Sequence, residues 1–383
     1  MSKLDELINE LCPEGVEYKA LWEVTIWDKK FNAVERSKQK KVYKYPYMLA
    51  NDLFKLERKE GDVFLLSTGE RTGWTTEELA GNYLCEGEVV AIPWGGTPNV
   101  KYHKGKFVTA DNRIATSIDT ELLSNKFLYY WMQSNIDTIA SYYRGSGIKH
   151  PSMKDILDMQ IPLPPLAVQQ EIVRILDNFT ELTAELTAEL TARRKQYEYY
   201  RDLLLTFGDD ISWCNLEEIL KIRNGKDYKS FNVGNIPVYG SGGIMTYIDT
   251  YAYDKPSVLI PRKGSIDKLY YVEKPFWTVD TIFYTEIYTS KVIPKYVFYC
   301  LQKERLEQYN TAGGVPSLTQ TVLNKVKIPV PPIEEQKRIV AILDRFDALC
   351  NDLTSGIPAE IEARQKQYEY YRDKLLSFKE VTA

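Results

Sequence analysis

Two long stretches of this 383-residue chain carry apolar residues at every third or fourth position, the spacing of one face of an α-helix. The first stretch contains Ile172, Leu176, Phe179, Leu182, Leu186, Leu190, Tyr197, Tyr200, Leu204 and Phe207. The second contains Ile339, Leu343, Phe346, Leu349, Leu353, Ile361, Tyr368, Tyr371, Leu375 and Phe378. The first pattern predicts a helix over 166–207, about 60 Å long at about 1.5 Å per residue.

Prolines set where these helices begin. Pro164-Pro165 and Pro331-Pro332 stand before the two apolar stretches, and proline is tolerated in a first helical turn but not beyond it. The second stretch also contains Gly356-Ile357-Pro358. We therefore expect a break there, with Pro358 in the first turn of a new helix.

Part of the first stretch is a short repeat, Thr-Ala-Glu-Leu, at 183–186 and again at 187–190. Four residues turn a helix by about 400°, so the leucine stripe drifts by about 40° with each unit. One unit more or less changes the helix length by about 6 Å while nearly preserving the buried face.

The two stretches belong to a duplication. The octapeptide KQYEYYRD occurs at 195–202 and at 366–373, and IPLPPLAVQQEIVRILDNF at 161–179 matches IPVPPIEEQKRIVAILDRF at 328–346 at 11 of 19 positions. The sequence therefore predicts two domains, which we call heads, each followed by a helical stretch. Two similar helices can pack antiparallel on one another and hold two heads at a fixed distance. The alternative is a coiled coil that serves only for oligomerisation.

The heads, 1–160 and 208–327, have the pattern of mixed α/β domains. Strand-like runs lie at 63–66, 89–92, 107–109, 257–260, 269–272 and 281–284, and helical patterns at 122–140 and 294–309. The fold class we expect is α+β: two pseudo-symmetric domains with twisted β-sheets, separated by the helices at 161–207 and 328–383.

Glycine-rich turns beside basic and aromatic residues interrupt these strands, and basic residues cluster near the start of each head. Such turns suit close approach to phosphates or base edges, although ordinary hairpins with solvated charges fit each turn as well. The candidate DNA contacts of the first head are Lys29, Lys30, Arg36, Lys38, Lys40, Lys41, Arg71, Trp74, Trp94 and Arg113. Those of the second are Lys221, Arg223, Lys226, Lys229, Tyr239, Ser241, Arg262 and Lys263.

Composition changes this picture little. The net charge of −4 counts mildly against a nucleic-acid binder, although local patches can still bind phosphate. The five scattered cysteines, the lack of a signal peptide and the lack of a membrane-length apolar run favour a cytoplasmic protein with reduced thiols.

Motifs for catalysis are absent from the sequence. There is no GxxxxGK[ST] loop for ATP, no GxSxG elbow and no Asn-Pro-Pro-Tyr/Phe or Asp-Pro-Pro-Tyr/Phe motif of amino-methyltransferases. The two histidines, His103 and His150, lack cysteine partners at metal-ligand spacing. A non-catalytic binding module is favoured over two alternatives, a coiled-coil adaptor that does not bind DNA and an enzyme with an unrecognised site.

The duplicated IPxPP blocks, the paired octapeptide and the Thr-Ala-Glu-Leu units resemble the specificity subunit of type I restriction–modification enzymes over essentially the whole chain. The resemblance implies two target recognition domains, each reading half of a split DNA sequence, and no catalytic or metal site. It implies an antiparallel coiled coil that docks two methyltransferase subunits, which bind S-adenosylmethionine, and restriction subunits that use ATP and Mg.

The same resemblance makes Thr183–Leu190 a ruler for the spacer between half-sites. The spacer and partner-docking residues it implies are Leu182, Leu186, Leu190, Tyr197, Tyr200, Leu343, Phe346, Tyr368 and Tyr371. The Gly356–Pro358 stretch departs from a continuous helix, so the two helices need not be equivalent as rulers.

Overall fold

A computed structural model describes residues 3–208, 210–310, 313–352 and 355–381. The chain divides into two compact units: unit 1 comprises Met1–Glu185 with Glu362–Ala383, and unit 2 comprises Leu186–Ile361. The division runs through the two helical stretches and not at their ends. Each unit therefore contains one head and a helical segment from each stretch.

The head of unit 1 is built on a mixed sheet covered by short helices. Its helices are α1 (Lys3–Leu11), α2 (Leu21–Val24), α3 (Ala50–Leu53), α4 (Glu77–Ala80), α5 (Asn125–Ser134), α6 (Ile136–Ser141) and α7 (Met153–Leu157). Its strands are β1 (Glu17–Ala20), β2 (Thr25–Trp27), β3 (Val63–Leu66), β4 (Gly73–Thr75), β5 (Cys85–Pro93), β6 (Lys101–Thr109), β7 (Asn112–Ser117), β8 (Tyr143–Arg144), β9 (His150–Pro151) and β10 (Gln160–Leu163). The main sheet has the order β2-β7-β5-β6-β3-β4.

Helix α8 (Leu166–Leu204) follows and leads into the head of unit 2. That head has helices α9 (Leu216–Ile219), α10 (Pro294–Glu304) and α11 (Gln320–Leu323). Its strands are β11 (Trp213–Asn215), β12 (Leu220–Asn224), β13 (Val233–Gly240), β14 (Gly243–Ile248), β15 (Ser257–Pro261), β16 (Tyr270–Val272), β17 (Trp277–Thr278), β18 (Ile282–Ile287) and β19 (Lys327–Pro329). They form one sheet of order β12-β18-β15-β16 and another of order β14-β13-β17.

The two heads share a framework. Strands β2-β7-β5-β6 and β12-β18-β15-β16 have the same order, and β1 pairs with β10 as β11 pairs with β19. A one-turn helix enters each framework, where the carboxylate of Glu23 or Glu218 accepts a hydrogen bond from the backbone N–H three residues earlier. The heads differ in what is added: β3 and β4 extend the sheet of unit 1, while β13, β14 and β17 form a separate sheet in unit 2. The predicted pair of repeated α+β domains is confirmed.

The second helical stretch is divided into α12 (Ile333–Asn351) and α13 (Ile357–Leu375). Pro358 is the second residue of α13, as predicted, because its missing N–H costs nothing in a first turn. A Cβ on Gly356 would lie 2.6 Å from the carbonyl oxygen of Ala348 and 2.7 Å from that of Asp352. The junction therefore requires glycine at this position.

Two helical segments pack on each head. One is the helix that follows the head in the sequence, and the other contains the octapeptide of the other helical stretch. In unit 1, Phe179 of α8 stacks on Tyr371 of α13, with ring centroids 5.6 Å apart and planes at 24°. In unit 2, Phe346 of α12 stacks on Tyr200 of α8 at 5.5 Å and 24°. The helical segments thus contact one another within each unit, while the antiparallel coiled coil over their whole length stays a prediction.

Tyrosines of the octapeptide also bind the heads directly. The Tyr368 hydroxyl donates to Oε1 of Gln133 on α5 at 3.2 Å, and the Tyr197 hydroxyl donates to Oε1 of Gln302 on α10 at 2.9 Å. Both tyrosines are buried. The identity of the two octapeptides is therefore explained in part by identical packing against two related heads.

The partly buried face of α8 includes the leucines of both Thr-Ala-Glu-Leu units but not Leu182, which precedes them. Leu182 is 46% exposed, whereas Thr183, Leu186 and Leu190 are partly buried. The stripe through Phe179, Thr183, Leu186 and Leu190 alternates steps of four and three, the heptad spacing, which stays on one face. The predicted place of Leu182 in the buried stripe is wrong, because a strict step of four rotates it away from that face.

The predicted helical pattern at 122–140 is present as α5 and α6, and the one at 294–309 begins with α10, which Arg305 ends in the left-handed conformation at φ +48°. In the ranges that the structure describes, no helix is both long enough and apolar enough to cross a membrane. The five cysteines are free thiols.

Candidate nucleic-acid interface

Each head has two distinct ends, set by the framework strands. In unit 1, Pro93 at the end of β5 pairs with Asn112 at the start of β7, and the turn Trp94–Gly96 follows. At the other end of β7, the chain turns to Leu122, whose carbonyl accepts from Nε2 of Gln169 on α8 at 2.7 Å. We call these the tip end and the helix end. They lie about 20 Å apart, because β7 has six residues.

Unit 2 is arranged in the same way. Pro261 at the end of β15 pairs with Ile282 at the start of β18, followed by the turn Arg262–Gly264. Beyond the other end of β18, the carbonyl of Lys291 accepts from Nε2 of Gln336 on α12 at 3.2 Å. The tip end of each head is thus the end away from the helix that follows that head in the sequence.

Trp94 and Arg113 form a stacked pair at the tip end of unit 1. The guanidinium of Arg113 lies 3.9 Å from the Trp94 ring centroid, and its Nη1 donates to Asp111 at 3.0 Å and to the carbonyl of Asn112 at 2.9 Å. The sequence placed Arg113 among the DNA contacts, but its side chain is only 4% exposed. Arg113 therefore positions Trp94 and supplies a fixed positive charge beneath it.

Lys29 lies beside this pair. Its Nζ is 3.6 Å from Oδ2 of Asp28 and 3.5 Å from Oδ1 of Asp111, and it sits 5.0 Å above the ring of Tyr47. Burial raises the pKa of Asp28, against the opposing effect of Lys29 and Arg113. The charges at this tip are therefore mixed and partly paired, which favours directional contacts over simple attraction.

Arg71 and Trp74 occupy a neighbouring loop and strand. Arg71 forms an ion pair with Glu57 and its guanidinium lies 4.2 Å from the Phe54 centroid, while Trp74 packs edge-on against Phe64 at 5.3 Å. Both side chains remain exposed. Their rings and charge are held in place without being covered.

The basic segment near the start of unit 1 divides between the two ends. Lys29 is at the tip end, but Lys38, Lys40 and Lys41 line a groove with Trp22 and Ile118 at the helix end. Lys38 donates to Asp158, and this hydrogen bond raises its pKa. Among the residues that the structure describes, Lys30, Arg36, Lys40 and Lys41 are exposed and have no ion-pair partner. These basic residues, which are neighbours in the sequence, therefore do not form one contiguous surface, and their role in binding DNA stays a prediction.

The basic segment of unit 2 divides in the same way. Lys221 is opposite Glu286 toward the helix end, and Arg223 makes two hydrogen bonds to Glu286, at 2.8 and 3.1 Å. Lys226 and Lys229 follow the tip end of β12 and are exposed. Because a carboxylate holds Arg223, only the last two lysines of this group offer open charge at the tip.

Arg262, Lys263, Tyr239 and Ser241 meet at the tip end of unit 2. Arg262 lies 5.3 Å from the Phe283 centroid, and Lys263 is exposed. The carbonyl of Ser241 accepts from the Tyr270 hydroxyl at 3.2 Å. Tyr239 is half-buried against Tyr270 and Phe276, and burial raises its pKa.

Two tip residues escaped the sequence reasoning. Lys101 donates to the carbonyl and hydroxyl oxygens of Ser67 at 2.7 and 2.9 Å, and burial lowers its pKa to about 8. His150 places Nδ1 2.7 Å from the carbonyl oxygen of Trp94. A lone lysine within a strand and a lone histidine carry no pattern that could have identified them.

Several of the residues predicted for partner docking take part in packing within the two units. Tyr197, Tyr368 and Leu343 are buried, and Phe346, Tyr200 and Tyr371 form the ring stacks within the units. The buried side chains cannot be reached by another subunit. Their neighbours Tyr199 and Tyr370 are 63% and 61% exposed and stand at the same position of the two octapeptides.

Metal chemistry has no obvious place among the described residues, since no group of three or more His, Cys, Asp or Glu side chains there could hold a metal ion. What the described tips offer is mixed charge and fixed aromatic rings.

Comparison with known proteins identifies the family. The model of the type I restriction modification DNA specificity domain matches residues 13–193 and again 209–363, once for each head with its helix. The chain belongs to the specificity subunits of type I restriction–modification systems. A putative type I restriction enzyme specificity subunit of Haemophilus influenzae is 34% identical over 336 residues, which cover 79% of this chain and 86% of that protein.

Other specificity subunits are similar to this chain in sequence or in fold. The EcoR124I/EcoR124II specificity subunit of Escherichia coli is 34% identical over 303 residues, 70% of this chain and 74% of that one. The solved S subunit of M. genitalium is 18% identical with a TM-score of 0.64, covering 98% of this chain and 99% of that chain. The family description assigns DNA specificity and not catalysis, as expected from the sequence.

Proposed function

We propose that this specificity subunit reads a bipartite DNA target, one half with the tip end of each head. The observation that carries the proposal is the contrast between a shared framework and different tips. Strand order, helix entry and the glutamine contacts at the helix end are the same in both heads. The tip ends carry different side chains, so two related heads present two different surfaces.

The chemistry of the tips suits groove recognition. Lys226, Lys229 and Lys263 present open positive charge in unit 2, and Trp94 and Trp74 present fixed rings in unit 1. Phosphate contacts give affinity and base-edge contacts give specificity. Because the phosphate contacts release counterions, the affinity for DNA falls steeply with salt. Because the chain carries a net charge of −4, the basic surface of partner subunits is needed for tight binding.

The test is an exchange of one head. Residues 1–160 are replaced by the corresponding head of another specificity subunit, and methylated adenines are mapped genome-wide in cells that express the matching methyltransferase. Only one half of the methylated sequence should change. A change in both halves contradicts the assignment of one half to each head, and no change contradicts the proposal and favours a coiled-coil adaptor that does not bind DNA. The unexchanged chain is the control.

We also propose that the two octapeptides form equivalent docking sites for methyltransferase subunits, which carry S-adenosylmethionine, while restriction subunits bring ATP and Mg. The support is that identity extends to exposed positions, which internal packing does not explain. Tyr199 and Tyr370 are such positions, each in edge contact with the next tyrosine.

Replacing each exposed tyrosine tests the docking sites. Tyr199→Ala and Tyr370→Ala should each weaken one of two methyltransferase binding events about tenfold, as expected for an interface tyrosine. Native mass spectrometry gives the stoichiometry and calorimetry the affinities. Glu181→Ala, an exposed change in the middle of α8, is the matched control. Full binding of two subunits by the double variant contradicts the proposal.

A further inference from the structure

Each head carries a second loop at its tip end, which we call the tip loop: residues 145–150 in unit 1 and 313–317 in unit 2. Ile148 and Val315 lie in these loops, each thirteen residues before the first isoleucine of an IPxPP block, Ile161 or Ile328. Each follows a glycine, and each is 69% exposed. Because these two aliphatic side chains are exposed, their burial contributes little to the stability of the fold.

The two tip loops are anchored in the same way. The N–H of Gly96 donates to the carbonyl of Lys149 at 3.1 Å, and the N–H of Gly264 donates to the carbonyl of Pro316 at 3.0 Å. Both glycines have positive φ, +96° and +81°, a conformation that other residues rarely adopt. Main-chain contacts therefore fix each loop to the strand end while its aliphatic side chain stays outside.

A guanidinium lies over an aromatic ring at each tip end, with the positions of the two groups exchanged between the heads. In unit 1 the turn after β5 supplies Trp94 and strand β7 supplies Arg113. In unit 2 the turn after β15 supplies Arg262, and Phe283 of β18 stands where Arg113 stands in β7. Nε of both arginines is buried without a hydrogen-bond partner in the described chain. Arg113 also pairs with Asp111 at 3.0 Å and with Asp28 at 3.9 Å. Each tip end thus holds a guanidinium whose Nε makes no hydrogen bond within the described chain.

Two heads that differ in added strands thus keep an exposed aliphatic side chain at the same end as a guanidinium. The ligand that fits must present apolar surface next to negative charge. A DNA groove does so, because base edges and the thymine methyl lie between rows of phosphates. We propose that the tip loops enter a groove of the DNA and that Ile148 and Val315 contact bases of the two half-sites. Arg113 and Arg262 are positioning residues: Arg113 lies against the Trp94 ring, and the carbonyl of Arg262 accepts from the N–H of Leu318, directly after the second tip loop. This inference rests on the proposed function.

The experiment uses the whole chain in complex with its methyltransferase subunits. Ile148→Ser should reduce discrimination between cognate and altered sequence about tenfold or more at one half-site, and Val315→Ser at the other, as expected for loss of one base contact. Competition binding with duplexes altered in one half-site measures this. Binding to unrelated DNA should stay unchanged. Ile148→Val and Val315→Ile keep the aliphatic contact and should preserve discrimination.

Leu122→Ser and Tyr288→Ser are the matched controls, because these side chains are exposed to 40% and 42% at the helix ends of the same heads. They should leave both half-sites unaffected. Uracil in place of thymine tests contact with the methyl group, and 2-aminopurine fluorescence tests insertion between bases. If both serine variants keep full discrimination while the unaltered complex is selective, the inference is overturned and the proposed function stands. An unaltered complex without selectivity refutes the proposed function itself.

Discussion

A buried glutamine near the start of α8 and another near the start of α12 join each helix to its head. Gln169 donates from Nε2 to the carbonyls of Leu122 and Pro164, at 2.7 and 2.8 Å, and accepts from the N–H of Ser124 at 2.9 Å. Gln336 makes the equivalent three contacts in unit 2. One side chain thus satisfies three backbone groups at a place where water has no access, which accounts for glutamine at both positions.

Gln169→Leu should lower the free energy of unfolding by about 2 kcal/mol, because it leaves buried backbone groups without partners. Urea unfolding followed by circular dichroism measures the change. The neighbouring Gln170→Leu alters an exposed side chain and should stay within about 0.5 kcal/mol of the unaltered chain. Equal effects of the two variants would show that the buried contacts do not matter.

Glu171 gives the fold of unit 1 a dependence on pH. Hydrogen bonds from Arg174, with support from Lys3 of α1 at 3.0 Å, lower its pKa to about 2 from an ordinary value of 4.5. The folded state therefore binds this proton more weakly than the unfolded state, so stability from Glu171 is present above pH 4.5 and lost as the pH falls toward 2. Glu171→Gln should be less stable than the unaltered chain at pH 7, and the difference should vanish over that interval. A difference that is independent of pH contradicts this assignment.

Single residues show where sequence reasoning ends. The basic segments were visible in the sequence, but their division between tip and helix ends was not. Proximity along the chain does not tell which end of a strand a loop returns to. Nor could the sequence show that Asp158 pairs with Lys38, 120 residues away, or that Glu286 binds Arg223 from the next strand.

Elements were predicted more successfully, because helical periodicity is a local property. The long helix α8 is present, the second helical stretch is present as α12 and α13, and α13 begins beside Pro358 as predicted. The error at Leu182 also has a local cause. Leu182, Leu186 and Leu190 are spaced by four residues, which the prediction took as one buried stripe, whereas the buried stripe through Phe179 and Thr183 alternates steps of four and three. The order of the strands was out of reach, because pairing joins residues far apart in sequence.

The stripe on α8 yields a matched pair of substitutions. Leu190→Gln should cost about 1–2 kcal/mol, since Leu190 packs partly against the core of unit 2. Leu182→Gln, the same change two helical turns earlier, should cost less than about 0.5 kcal/mol because that side chain is exposed. Thermal unfolding of both variants tests whether Leu190 is buried and Leu182 exposed. A larger loss of stability for Leu182→Gln would show that Leu182 lies on the buried face of α8.

The junction between α12 and α13 predicts a second pair. Gly356→Ala should destabilise unit 2 by about 2 kcal/mol, because the added Cβ would meet backbone carbonyls that cannot give way easily. Pro358→Ala should change stability by less than about 1 kcal/mol, since a first-turn position accepts either residue. Unfolding in urea measures both, and a tolerated alanine at 356 would mean that the junction can open.

Helix α8 is continuous from residues of unit 1 to residues of unit 2. Deleting 187–190 shortens that helix by about 6 Å and turns its far part by about 40°. We expect the two half-sites to keep their sequences while the gap between them changes by at most about two base pairs, given about 3.4 Å per step. Genome-wide adenine methylation reports both, with Glu185→Gln as a control of unchanged length. A changed half-site sequence would contradict the idea of a ruler.

The last residues of the chain complete the first head. Val16 donates its N–H to the carbonyl of Lys379 at 2.9 Å and accepts from the N–H of Val381 at 3.1 Å. Tyr368 and Leu376 are buried in the core of unit 1. We therefore expect that a polypeptide cut after the second head exposes core side chains of the first head, which Tyr368 and Leu376 otherwise cover. Such a truncated molecule should be digested by proteases at the first head before the second.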